Sequence, residues 1–350
     1  MVNVAVIGGD GVGPEVVRAG MRVMEAAAAD ASLDLRFTEF PWGCEYYLEH
    51  GRMMPDDGIQ TLGEFDEIYL GAVGWPTVPD HVSLWGLLLP IRRRFDQYVN
   101  LRPARLLRGV SSPLAHPNGL DITVVRENTE GEYSDSGGRL YGGTPHELAI
   151  QESVFTRRGV ERIIRYAFEE AKGRRGLLVG ATKSNGISIT MPFFDEIFKE
   201  ISESHPEVEA SLMHADALAA RLVLDPARFD VVVGSNLFGD LLSEITAAVS
   251  GAIGIAPSAN LNPEGDFPSL FEPIHGSAPD IAGQGIANPS GAIWAAALML
   301  EHAGHPKTGH GILAALEDTL ASGTRTRDLG GDADTEGMTE GVLRRLEGRV

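Results

Sequence analysis

Arginines stand where a substrate with several carboxylates would need them. Arg92 opens an arginine run with Arg93 and Arg94, Arg102 follows in Asn100-Leu101-Arg102-Pro103, and Arg126 ends the apolar run Ile122-Thr123-Val124-Val125. A planar guanidinium grips a carboxylate through two parallel hydrogen bonds, and a diacid would use more than one. Taken singly, each arginine reads as readily as surface charge, and Arg93 and Arg94 are left as such. Tyr133 comes seven residues after Arg126 in Arg126-Glu127-Asn128-Thr129-Glu130-Gly131-Glu132-Tyr133. A phenol beside cations can serve as a general acid, although a lone tyrosine is more often core. Lys183 is one of four lysines and follows the apolar run 176–182. Burial and cationic neighbours lower a lysine pKa towards neutrality, giving a base for a hydroxyl proton; a lysine reaching solvent is the plainer alternative.

Three carboxylates could hold a metal. Asp240 and Glu244 are four apart in Ser235-Asn236-Leu237-Phe238-Gly239-Asp240-Leu241-Leu242-Ser243-Glu244, and Asp216 lies in His214-Ala215-Asp216-Ala217. Like charges at i and i+4 cost a helix a few tenths of a kcal/mol, offset in part near its N-terminus. An all-oxygen set suits Mg²⁺ or Mn²⁺; zinc is disfavoured by the lack of a Cys/His cluster. Further on, Glu272-Pro273-Ile274-His275-Gly276-Ser277-Ala278-Pro279-Asp280 is a dense loop of small residues. Asp280 could accept hydrogen bonds from a ribose diol and would repel a 2′-phosphate, which favours NAD over NADP. The loop Gly8-Gly9-Asp10-Gly11-Val12-Gly13 supplies no G-x-G-x-x-G register and no P-loop ending. It says only that backbone approaches something closely, and a structural turn serves equally well.

Positioning these groups requires strands that stop where the polar motifs begin. Apolar runs at 2–7, 68–74, 122–125, 176–182 and 229–234 read as strands, and 156–172, 191–204 and 238–249 as helices. That alternation predicts an α/β protein with helices flanking a mixed sheet, with ligands beyond the strand ends. The Gly/Asp/Thr-rich stretch 325–339 reads as loop. Pro90 would start the helix carrying Arg92, because an interior proline costs about 3 kcal/mol. The 350 residues carry a net charge of −20 and one cysteine, Cys44. Such a surface repels nucleic acid and anionic membrane, no intrachain disulfide can form, and a dianionic substrate needs a locally cationic pocket. Without a signal-like N-terminus, and with a longest apolar run (291–300) about half a membrane span, a cytoplasmic protein is expected.

Together these motifs resemble the β-decarboxylating dehydrogenases, the isopropylmalate/isocitrate dehydrogenase family. The likeness runs from Gly9-Asp10-Gly11-Val12-Gly13-Pro14-Glu15 to Asp328-Leu329-Gly330-Gly331. It implies an isopropylmalate dehydrogenase-like two-domain fold with a large mixed β-sheet, not a Rossmann fold: 1–98 with 257–350 carrying the cofactor loops, and 99–256 carrying the dimer interface, metal and catalytic residues. It implies Arg92, Arg102 and Arg126 as substrate ligands, Tyr133 as acid, Lys183 as base, and Asp216 and Asp240 as metal ligands. Glu244, also a candidate metal ligand, stands where most relatives have aspartate. Glu272, His275, Gly276, Ser277, Ala278, Asp280 and Asn288 match the NAD-binding positions. In the family, Lys183 and Asp216 would reach the site from the second subunit of a homodimer. Cys44-Glu45-Tyr46-Tyr47, Gly74-Trp75, Ser83-Leu84-Trp85-Gly86 and 255–260 are similar to the tartrate/D-malate branch. Trp85 and Leu88 would line the substrate side-chain pocket. The activity implied is metal-dependent, NAD-dependent oxidative decarboxylation of D-malate, tartrate or both. A 3-isopropylmalate dehydrogenase is the near alternative, and a non-catalytic metabolite-binding protein on the same fold the remote one.

Overall fold

The computed structural model describes residues 1–117, 119–251 and 253–347. The chain begins with β1 (Val2–Gly9), α1 (Gly13–Asp30), β2 (Leu35–Phe40), α2 (Cys44–His50), α3 (Gly58–Leu62), β3 (Glu67–Ala72), α4 (Asp80–Ser83) and α5 (Leu89–Arg94). It continues through β4 (Val99–Arg105), β5 (Asp121–Glu127), β6 (Gly137–Leu140), β7 (Leu148–Gln151), α6 (Arg157–Lys172), β8 (Leu177–Thr182), α7 (Thr190–Ser202), β9 (Glu209–His214) and α8 (Ala215–Leu224). Then follow β10 (Val231–Gly234), α9 (Asn236–Val249), β11 (Pro257–Leu261), β12 (Ser269–Pro273), α10 (Ser290–His302), α11 (Pro306–Ala321) and α12 (Thr335–Leu346). Two compact units result: a terminal unit of 1–97, 105–115 and 250 onward, and a central unit of 98–104 and 116–249. Residues 105–115 and 250–256, which the sequence division grouped with the central part, are gathered into the terminal unit.

In the terminal unit the strand order is β2-β1-β3-β12-β11. β1 is parallel to β2 and β3, β12 is parallel to β3, and β11 runs antiparallel to β12, so the sheet is mixed. Ile7, Ile68, Leu70 and Leu270 from these strands pack with Leu87, Ile91 and Phe95. Burying each such side chain contributes roughly 1.5–3 kcal/mol, and this fixes the helix that carries Arg92. α10 is buried along nearly its whole length, which explains the apolar run at 291–300 as a core helix. No described helix is long and apolar enough to cross a membrane.

In the central unit β5, β10, β8 and β9 are neighbours and all parallel. Their registers pair Val125 with Val233, Arg126 with Gly234, and Thr182 with His214. Four strands therefore end at one edge, and the residues just beyond them, Lys183, Asp216 and the start of α9, emerge there. β6 and β7 form a separate antiparallel ribbon.

Two local expectations are corrected. The helix with Arg92 does not begin at Pro90. Helical backbone runs from Asp80, and a π-helical turn, Leu84–Leu88, joins α4 to α5. The Leu89 N–H reaches back to Leu84 O, and this wider turn makes room for a ring that would clash with the carbonyl four residues back. Nor is 325–339 all loop: α12 starts at Thr335, where the Asp334 side chain caps it by accepting from Gly337 N at 2.7 Å. That N-cap signal is present in the sequence and outweighs the Gly/Asp/Thr composition.

Candidate active site

Arg126, Arg102, Tyr133 and Asp240 meet in the central unit. Arg126 is 3% exposed, and its Nε and Nη2 donate to Asn236 Oδ1 at 3.0 and 2.8 Å. Its Nη1 turns to Asp240 Oδ1. Arg102, on β4, donates from Nη1 to Ser243 Oγ at 2.8 Å and pairs with Asp240 at 3.1 Å and Glu244 at 3.4 Å. The like charges of Asp240 and Glu244 thus share one guanidinium. Tyr133 Oη donates to Asp240 Oδ2 at 3.0 Å, with Arg126 5.4 Å from its ring. Burial first, and then the Asp240 charge, push the Tyr133 hydroxyl above the usual tyrosine range, against the opposing pull of Arg126 and Arg102. A Cβ on Gly239 would sit 2.5 Å from Arg126 Cβ, so only glycine lets α9 approach β5 this closely.

Lys183 and Asp216 form a second cluster of the same unit. Lys183 follows β8 and its Nζ donates to Asp216 Oδ1 at 2.7 Å. Asp216 lies in the first turn of α8, exposed, and the Lys183 hydrogen bond holds its carboxyl below the usual range. Among the described residues no group of three His, Cys, Asp or Glu is placed to hold a metal ion. One chain therefore does not bring Asp216 together with Asp240 and Glu244. The donors fit a hard divalent cation in kind, being carboxylate oxygens with a phenol beside them.

In the terminal unit Arg92 is 7% exposed and pairs with Glu272 Oε1 at 2.9 Å. Asn260 Nδ2 also donates to that oxygen, at 2.8 Å, so Glu272 is a strand residue spanned by buried donors. Arg92 Nε is buried with no partner among the described residues, a donor suited to an added carboxylate. Trp85 lies on the π-helical turn, 39% exposed, with Arg93 4.6 Å over its ring. Arg93, read from sequence as surface charge, is exposed and lies over the indole. Leu88 is packed into the core with Ile91.

The loop after β12 borders a cavity of about 580 Å³, lined by Val12, His275, Ala278, Ile286, Asn288 and Asp328 among others. His275 Nδ1 lies 3.0 Å from Gly276 O and so carries the proton, while Nε2 is buried without a partner among the described residues. Burial lowers the ring's pKa, keeping it neutral. Asn288 Nδ2 donates to Asp328 at 2.9 Å, and its Oδ1 accepts from Ser290 N at 3.0 Å. Apolar walls, an orphaned imidazole nitrogen and a fixed amide fit the base of a dinucleotide. Asp280 is exposed on the same loop, its backbone oxygen accepting from Gln284 at 2.8 Å. The close approach at the glycine loop is to protein: Val12 N donates to Ser277 O at 2.8 Å, and a Cβ on Gly11 (φ +60°) would lie 1.9 Å from that oxygen.

The sequence reading missed Asn236, Glu132, Ser243 and Asp328. Asn236 was discoverable in part, since it stands one helical turn before Asp240.

The chain matches the isocitrate/isopropylmalate dehydrogenase family over residues 3–342, and it belongs to that family. Within it the likeness is to the tartrate and D-malate dehydrogenase branch. It is 56% identical to the D-malate dehydrogenase (decarboxylating) of Escherichia coli K12, with 98% of each chain covered. It is 55% identical to a probable tartrate dehydrogenase/decarboxylase of Bacillus subtilis 168, again over 98% of each. Among solved structures, isocitrate dehydrogenase from Methylococcus capsulatus superposes with a TM-score of 0.89 at 33% identity, covering 99% of both chains. A β-decarboxylating dehydrogenase from Thermococcus kodakarensis gives 0.83 at 36% identity, covering 99% of this chain and 96% of that one.

Proposed function

We propose that this protein catalyses NAD-dependent oxidative decarboxylation of a small 2-hydroxy diacid, D-malate, tartrate or both. One observation carries the reading: two buried arginines, a phenol and the carboxylate of Asp240 are gathered at the edge where parallel strands end. The likeness to D-malate and tartrate dehydrogenases supports the substrate class.

Arg102 and Arg126 bind substrate carboxylates, and Arg92 adds a further guanidinium. Asp240 and Glu244, with Asp216 of a partner subunit, would hold Mg²⁺ or Mn²⁺. His275, Gly276, Ser277, Ala278, Asp280 and Asn288 would hold NAD, with Asp280 disfavouring a 2′-phosphate. When bound, the cation supplies Lewis acidity at the hydroxyl-bearing carbon's oxygen, and NAD⁺ supplies the hydride acceptor. Lys183 accepts the hydroxyl proton. After loss of CO₂ from the β-keto acid, Tyr133 returns a proton to carbon. From D-malate the product is pyruvate.

A homodimer with Lys183 and Asp216 acting across the interface fits two features. One is the separate ribbon, on which Leu140, Tyr141 and Ile150 are exposed; the other is the exposure of Leu224 and Leu241 on α8 and α9.

The test is a panel of D-malate, L-tartrate and 3-isopropylmalate with NAD⁺ and Mn²⁺, read as kcat/KM. We expect D-malate or tartrate to lead. A preference of about tenfold or more for the branched acid would make the protein a 3-isopropylmalate dehydrogenase, and no NADH from any diacid would make it non-catalytic.

A further inference from the structure

The loop from Arg126 to Tyr133 is tied to the first turns of α9 at successive points. Asn236 Nδ2 donates to Glu130 O at 3.0 Å. The Glu132 carboxylate accepts from Ser235 Oγ at 2.7 Å and from Leu237 N at 3.0 Å. The first N–H groups of a helix have no partner within it, and negative charge suits that end, so Glu132 acts as a cap supplied from outside the helix. Its neighbour Tyr133 then bonds Asp240 on the same helix. Consecutive residues of one loop thus engage positions 237 and 240. Tyr133 is 39% exposed, with the Arg126 guanidinium over its ring.

We propose that Glu132 is a positioning residue for proton delivery: by anchoring the loop on the N-terminus of α9, it holds Tyr133 Oη at Asp240. This rests on the reading of Tyr133 as the acid. In that step the Tyr133 O–H bond breaks and a C–H bond forms from the enolate electron pair. The O–H electrons stay on oxygen as tyrosinate, which solvent reprotonates. Hydride transfer comes earlier and uses other groups, so losing Glu132 should separate the two steps.

The experiment is stopped-flow NADH formation with the diacid the panel selects, NAD⁺ and Mn²⁺, on Glu132→Ala. The expected result is a burst of about one NADH per site at a near-normal rate, then turnover about tenfold or more below wild type. Affinity for NADH, read by fluorescence titration, should be unchanged. Glu132→Gln keeps the acceptor for Ser235 Oγ but not the one for Leu237 N–H; it should show a smaller loss, and it serves alone if the alanine variant does not fold. Hydride transfer slowed in parallel with turnover, or turnover unchanged, would overturn the proposal. Tyr133→Phe run alongside separates the two failures. If it turns over normally, the acid assignment itself is wrong; if it shows burst and loss while the Glu132 variants do not, only the positioning role falls.

Discussion

At the scale of single residues, burial decides which charges exist. Glu67 opens β3, is 5% exposed, and burial pushes its carboxyl up to about 9. His302 Nε2 lies 3.8 Å away, but its own burial lowers its pKa, so it offers no cation at neutral pH. A carboxyl whose folded pKa is raised contributes stability that is fully present below its unfolded pKa of about 4.5 and lost as pH rises through the folded value. Glu67→Gln is therefore expected to match wild type near pH 5 and to exceed it by up to a few kcal/mol at pH 8, measured by urea denaturation at both values. Equal stability at pH 8 would show that Glu67 ionises freely. The same scale explains what sequence could reveal of the site. Arg126 and Tyr133 are charged or aromatic and closely spaced, so their association was legible. Asn236 carries no charge; its place one helical turn before Asp240 was legible, but its role as acceptor for Arg126 depends on β5 and β10 pairing Arg126 with Gly234.

At the scale of elements, the strands β1, β3, β5, β8 and β10 were legible because their apolar runs are unbroken. β4 was not, since Arg102 and Pro103 interrupt it, and neither were the exposed β6 and β7, which have no buried face. The π-helical turn before Pro90 lay beyond local rules: a proline signals a helix start equally well when a wider turn precedes it. In the site α9 packs closely on β5, where Gly239 admits the Arg126 side chain. Gly239→Ala places a methyl within 2.9 Å of Arg126 Cα, Cβ and Cγ, and neither backbone can yield without moving Arg126 or Asp240. We expect a loss of about 1–3 kcal/mol in stability and a KM for the diacid raised about tenfold or more, seen by thermal melting and steady-state kinetics. An unchanged KM would mean that Arg126 does not bind the diacid.

At the scale of the whole molecule, an acidic protein of net charge −20 must keep its cationic groups where a dianion can find them. It does so by burying Arg102 and Arg126 at the strand ends, where they pair with Asp240. The α/β class and the edge where the strands end were legible from the alternation of apolar runs and polar motifs. The division into units was not fully legible, because 105–115 joins its unit through packing that no composition shift marks. What one chain leaves apart is the most informative feature: Lys183 pairs with Asp216, while Tyr133 pairs with Asp240. If each site draws Lys183 from one subunit and Tyr133 from the other, lesions on opposite chains must complement. As homodimers still binding NAD, Lys183→Ala would be inactive and Tyr133→Phe would stall in steady state after about one NADH per site. Mixed dimers refolded or co-expressed from equal amounts would hold one intact site and recover roughly a quarter of wild-type NADH production. Activity that stays at the level of the separate variants, or a Lys183→Ala homodimer that turns over normally, would contradict the account.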